Sequence, residues 1–249
     1  MKKNLFVFLT LFLFGSCSKV VHISPAPSPS IQIEANAESA PSKEIEALIN
    51  PYKEQLDDEM KAIIGIAAKE LPKAKPESEL GNWTADLIHK KCEEYYGQPI
   101  DFAIVNYGGL RIPSLPTGEI SRAQIFELMP FENALVVLHA DGETVEQLFI
   151  RMAEYGGWPI SHQLKFKIKN GKPIDVKING DPIDKNKIYK IALSDFLANG
   201  GDKCFFFKDK KRDLLGKLFR DAIIEHVQDL SAAGKKADAQ LENLSLIHI

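Results

Sequence analysis

The chain has 249 residues, 45% of them hydrophobic and 26% charged, proportions of an ordinary globular protein that exclude disorder for its bulk. A formal net charge of −3 leaves no basic surplus for a phosphate backbone, which excludes nucleic acid as the expected partner and favours a small ligand.

At the N-terminus, Met1-Lys2-Lys3-Asn4 precedes the apolar run Leu5 to Phe14 and the small-residue step Gly15-Ser16-Cys17. This is the order of an export signal, and the run is too short for a permanent membrane span. A cysteine directly after two small residues has the form of a bacterial lipoprotein signal. Residues 1–17 are therefore expected to be a lipoprotein-type signal cleaved ahead of Cys17, which becomes the lipidated first residue and membrane anchor of an exported protein facing the periplasm or the cell surface. A plain secretory leader with an incidental cysteine is the alternative. Residues 18–42, rich in Ser, Pro, Ala and Glu, read as an extended tether.

The folded part is expected over 43–230. A helix is predicted from Glu44 to about Met60, with Pro51 as a break, then a short buried strand over Ala62 to Ala68. Ser78 can cap a helix carrying Leu80, Trp83 and Leu87 and ending near Gly97. Asp101 to Val105 is a predicted strand, Ser121 with Gln124 a capping box on a short helix stopped by Pro130, and Ala134 to His139 another strand. Glu143 to Tyr155 has helical periodicity and is stopped by Gly156-Gly157. Gln163 to Lys169 and Pro173 to Ile178 flank Asn170-Gly171, a hairpin signal, and Asn179-Gly180 marks a further turn. Lys187 to Leu193 is the next strand and Asp213 to Val227 a closing helix. Helices interleaved with antiparallel hairpins define an α+β fold, mixed α/β layers and not a pure parallel sheet. The tail, 231–249, ends in the apolar scrap Leu244 to Ile249 after a charged stretch and receives no place in a core and no role. Cys92 and Cys204 could pair in an oxidising compartment, but free buried thiols are the favoured reading for a domain of this size.

Signatures of catalysis are sparse. No two of the six histidines lie closer than 22 positions, the separation of His226 and His248, and Asp-x-His, His-x-His and Asn-His-Glu are all missing, so no metal site is expected in this chain. Nucleophile-elbow, Walker and dinucleotide glycine patterns are missing too, and no catalytic residue is assigned.

Three loops at strand ends carry the chemistry instead. In Asn106-Tyr107-Gly108-Gly109-Leu110-Arg111 the paired glycines admit close backbone approach and Arg111 offers a planar fork to oxyanions. Met129-Pro130-Phe131-Glu132-Asn133 supplies an aromatic and an amide. Asp195-Phe196-Leu197-Ala198-Asn199-Gly200-Gly201-Asp202 supplies an aromatic, two glycines and a carboxylate. Two rings, a guanidinium, two amides and a carboxylate suit a nucleoside, whose base stacks at roughly 1–3 kcal/mol per ring and whose ribose hydroxyls donate to a carboxylate. Taken singly, Phe131 and Phe196 fit a hydrophobic core as well, and the glycines fit plain turns.

These loops, in this order and preceded by Glu77-Ser78-Glu79-Leu80-Gly81-Asn82, resemble the C-terminal domain of the 5′-nucleotidases, over about Pro51 to Val227. The resemblance implies that Phe131 and Phe196 sandwich the base and that Asp202 binds the ribose. Asn106, Arg111 and Asn133 would then take polar positions around base, ribose and phosphate, with Gly108, Gly109, Gly200 and Gly201 shaping the loops. Two departures stand out. Ala74, between Lys73 and Lys75, occupies the place of a phosphate-directed arginine, and residues 18–50 have no room for the family's metallophosphatase domain. The expectation is a nucleotide-binding half of a phosphoester hydrolase, with no cofactor of its own and with divalent metals on a separate metallophosphatase chain. A non-catalytic surface binding protein for nucleosides, nucleotides or nucleotide sugars is the alternative, and a degenerate domain that binds nothing a third.

Overall fold

A computed structural model describes residues 43–248; the expected signal, Cys17 and the tether lie outside the described residues. Residues from 49 onward form one compact unit. Helix α1 (Lys43–Lys61) runs through Pro51 without the expected break. Residues 45–59 are exposed, so the carbonyl that loses its donor to the proline ring can turn to water at modest cost.

The domain is organised around a four-stranded sheet. Its strands are β3 (Phe102–Ala103), β6 (Ala134–Asp141), β9 (Ile188–Ser194) and β10 (Arg212–Leu218), in the order β10-β6-β9-β3. The β6/β9 and β6/β10 pairs are antiparallel, and β3 joins β9 in parallel. Alternation along β6 explains the layers. Leu135 and Val137 enter one hydrophobic cluster, while Val136, Leu138 and Ala140 enter a second cluster on the opposite face. A strand buried on both faces must be covered twice.

On the first face lie α2 (Glu79–Tyr96), α3 (Arg122–Leu128) and α6 (Phe219–Ala232), with the pair β1 (Ile63–Ala67) and β5 (Gly118–Ser121) and the short pair β2 (Leu71–Pro72) and β4 (Ser114–Leu115). On the second lie α4 (Gly142–Glu154), the single turn α5 (Asp195–Ala198) and a three-stranded sheet in the order β11-β7-β8, built from β7 (Leu164–Lys169), β8 (Lys172–Ile178) and β11 (Ser245–His248). The architecture is α+β with mixed strand directions.

Local chemistry sets the boundaries. The Ser78 hydroxyl accepts from the Gly81 amide at 3.0 Å, and Gly97 closes α2 in the left-handed conformation, φ 68°. Ser121 and Gln124 form the reciprocal capping box on α3. Asn170 and Gly171, both at positive φ, make the two-residue turn between β7 and β8. Cys92 and Cys204 are both free and buried, one in each cluster on opposite faces of the sheet.

Three expectations need correction. The run at Ala62 to Ala68 is only half buried, because Ile63 and Ile66 face outward. Residues 213–218, read as the start of the closing helix, belong to the edge strand β10, and the helix begins at Phe219. Leu214, Leu215, Leu218 and Ala222 have helical spacing, and an edge strand with a register shift at Leu214/Leu218 and Gly216 at φ 66° shows no alternation to oppose it. The tail is part of the fold: Ala237 bridges to Ala67 of β1, Ser245–His248 pairs in parallel with β7, and Leu244 is buried in the second cluster.

The Glu77 carboxylate holds that tail. It accepts from the Asn82 side chain at 2.7 Å and from the Glu242 and Leu244 amides at 2.8 and 2.9 Å. Charge-assisted bonds of this kind contribute roughly 1.5–3 kcal/mol each. Glu77→Ala is expected to release residues 240–248, read as fast hydrogen exchange at Glu242 and Leu244 with the sheet core still protected; unchanged exchange there would refute the anchoring role.

His226 on α6 imposes a pH dependence. Burial, reinforced by the nearby Lys90 and Lys91, lowers its pKa from 6.5 to about 4. The unfolded chain then binds a proton that the folded chain refuses between these values, so stability falls as pH drops from about 6.5 towards 4 and levels off below that. At about 1.4 kcal/mol per pH unit the loss reaches up to about 3 kcal/mol. Denaturant titrations at pH 7 and pH 4.5 should show it, and His226→Phe should remove most of the difference.

Candidate functional site

The three loops meet at the end of the central sheet where the chain leaves β3. Asn106, buried just beyond that strand, donates from Nδ2 to the Asp202 carboxylate at 2.7 Å across 96 positions of sequence. Asp202 itself sits at φ 48°, ψ 34°, and Lys203 at φ 64°, a left-handed backbone that costs a non-glycine residue free energy and is held by its surroundings.

Glycines shape both of these loops. A Cβ on Gly109 would fall 2.9 Å from the Asn106 side-chain oxygen, and a Cβ on Gly201 would come within 2.4 to 2.6 Å of three atoms of the Phe196 ring. The Phe196 ring therefore rests on the bare α-carbon of Gly201, while Gly200 turns the chain at φ 91°. Gly108 carries no such constraint.

The loop between α3 and β6 closes the group. The Asp195 carboxylate accepts from the Ala134 amide at 3.1 Å, and the Asn133 carbonyl accepts from Phe219 at 2.8 Å. Arg111 donates its backbone N–H to the Leu128 carbonyl at 2.9 Å, and its guanidinium lies 5.8 Å from the Phe131 ring centroid. Each loop is thus tied to the other two. Phe131 and Phe196 remain 39% and 42% exposed and make no ring contact with each other. Neither is a core residue, and large aromatics left in water on braced loops are the feature of this end that packing does not explain. Among the described residues the Asn133 side chain has no hydrogen-bond partner.

The structure adds residues to the expected set. Lys73 donates to the Leu110 carbonyl at 2.6 Å with its ammonium 4.0 Å from the Tyr107 ring centroid. Lys75 lies 4.6 Å from the same centroid and donates to the Tyr155 carbonyl. Partial burial, with the like charges of Arg111 and Lys75, lowers the Lys73 pKa. Among the described residues none of these three cations forms an ion pair. The cluster was hidden in sequence because Lys73 and Lys75 alternate about Ala74 on a segment more than 30 positions from Arg111; only the fold joins them.

Residues 60–209 match the family described as 5′-nucleotidase, C-terminal domain, and the chain belongs to that family. Protein UshA of Escherichia coli K12 is 35% identical over 106 residues, covering 41% of this chain and 19% of UshA. The cell wall protein Lmo0130 of Listeria monocytogenes is 29% identical over 244 residues, covering 86% of this chain and 30% of the relative. Among solved structures, a 5′-nucleotidase precursor from Thermus thermophilus superposes with a TM-score of 0.70 at 23% identity over 81% of this chain and 42% of that one. The chain thus spans less than half the length of each of these relatives.

Proposed function

We propose that the domain binds a 5′-nucleotide or nucleoside and serves as the substrate-holding half of a phosphoester hydrolase whose divalent metals sit on a separate metallophosphatase chain. The observation that carries the reading is the pair of solvent-exposed rings, Phe131 and Phe196, on loops braced to one another. A flat base between them would exchange water for two aromatic faces, and bracing in advance lowers the ordering cost of binding. The Asp202 carboxylate spends one oxygen on Asn106 and keeps the other for ribose hydroxyls.

Lys73, Lys75 and Arg111 supply the counter-charge for a phosphate. Their mutual repulsion, which adds to burial in lowering the Lys73 pKa, would be relieved by a bound dianion, so two lysines offset the alanine at position 74. Among the described residues no three His, Cys, Asp or Glu side chains gather about one point, and no hydrolytic step is assigned to them. The leader pattern ending at Cys17 and the relative named a cell wall protein support an exported, lipid-anchored location.

Calorimetric titration of the purified chain tests the reading. AMP is expected to bind more tightly than adenosine, and the difference should shrink as salt is raised. Incubation with AMP and Mn²⁺ should release no phosphate until a metallophosphatase lacking this domain is added. No heat with either ligand would end the nucleotide assignment, and hydrolysis by the chain alone would end the division of labour.

A further inference from the structure

At the opposite end of β3 from Asn106, the outer side of α2 borders a cleft of about 620 Å³ whose walls include His89, His162, Gln163, Asp86 and Glu93. Two imidazoles meet here. His89 Nε2 lies 2.9 Å from the Ile100 carbonyl, so in the neutral ring that nitrogen carries the proton and Nδ1 carries the lone pair. His162 Nδ1 lies 3.0 Å from the Asp86 carboxylate, so its proton is held there and Nε2 carries the lone pair.

Both lone pairs converge on one atom. The Gln163 side-chain nitrogen is 3.3 Å from His89 Nδ1 and 3.1 Å from His162 Nε2, and donates to each. The same amide leaves its oxygen buried with no hydrogen-bond partner, a cost of roughly 1–3 kcal/mol. The Gln163 nitrogen therefore stands where an electron-pair acceptor would sit, at the expense of the rest of its own side chain. Glu93 Oε2 is 3.9 Å from His89 Nδ1, and four carboxylates, Asp86, Glu93, Asp238 and Glu242, line the cleft against two lysines.

We propose that His89 Nδ1 and His162 Nε2 form a binding site for a divalent transition-metal cation of the imidazole-preferring kind, Zn²⁺, Ni²⁺ or Cu²⁺, with Gln163 as its displaceable occupant. A ligand histidine whose second nitrogen donates to a carbonyl or carboxylate is held in the right tautomer and orientation, and both rings meet that condition. The ring centroids are 6.2 Å apart, close to the separation of two imidazoles bound on opposite sides of a Ni²⁺ or Cu²⁺ ion at about 2 Å per nitrogen, and a tetrahedral Zn²⁺ would draw them roughly 1 Å closer. When the Gln163 side chain swings out, the two imidazoles supply the protein ligands and water fills the remaining positions. The site uses none of the residues proposed to hold the nucleotide.

Titration of the full untagged chain with ZnCl₂ and NiCl₂ at neutral pH, followed by calorimetry, tests the assignment. One equivalent is expected to bind to the wild type. His162→Ala, at a position that is more than half exposed and leaves the cores intact, should weaken this binding at least tenfold without lowering the metal-free melting temperature. Gln163→Glu, which turns the occupying donor into an anionic ligand, should strengthen it at least tenfold. Equal binding by wild type and His162→Ala, or no gain from Gln163→Glu, would overturn the site.

Discussion

Gly157→Ala is expected to destabilise the domain by roughly 2–6 kcal/mol, because one methyl group there meets two independent obstacles. Gly157 holds φ at 102°, outside the region that an L-residue adopts without strain, at a cost of roughly 1–3 kcal/mol. Its added Cβ would also lie 2.5 Å from the Pro76 carbonyl oxygen and 2.6 Å from the Pro76 Cα. Those are backbone atoms that cannot swing aside, and overpacking of this kind costs roughly another 1–3 kcal/mol. For a domain of this size the melting temperature should fall by on the order of 10 °C. Because Pro76 follows Lys75, the displaced backbone should also pull the Lys75 ammonium from its place over Tyr107 and weaken phosphate recognition. A variant that melts with the wild type would show that the Pro76 segment is free to move.

Phe196→Ala is the second large effect, and it should leave stability nearly untouched. The side chain is 42% exposed and rests on Gly201, so its removal opens no cavity, while a stacked base loses roughly 1–3 kcal/mol. Affinity for AMP should drop about 5- to 150-fold, with AMP and adenosine losing equally, since the ring contributes nothing to phosphate. Phe131→Ala should lose the same stacking and in addition free the Arg111 guanidinium from its ring. Equal affinity of Phe196→Ala and wild type for AMP would remove the stacking model at its base.

Much of this architecture was legible in the residues because its signals are local. Ser78, the Ser121 and Gln124 pair, the Asn170-Gly171 turn and the Gly156-Gly157 stop each act within a few positions, and each appears in the structure where the sequence places it. What escaped depended on distant partners. Strand β10 has helical spacing and is held extended by pairing with β6. The tail is polar by composition and acquires its place from Glu77, 165 positions away from Glu242. The same division holds at the candidate site: Asn106, Arg111, Phe131, Phe196 and Asp202 stand out by residue type and loop context, whereas Lys73 and Lys75 join them only through the approach of β2 and its following turn to Leu110.

The path of the last residues has a mechanical consequence. From Ala237 against β1 to Ser245 against β7, the chain passes from the hydrophobic cluster on one face of the central sheet to the cluster on the other. It works as a hasp across two lids, in addition to the contacts of Lys75 with Tyr155 and of His162 with Asp86. A pull on the C-terminus therefore loads both layers in series, peeling β11 from β7 before tension reaches the Glu77 clasp, and the domain should yield to force in steps where heat would melt it at once.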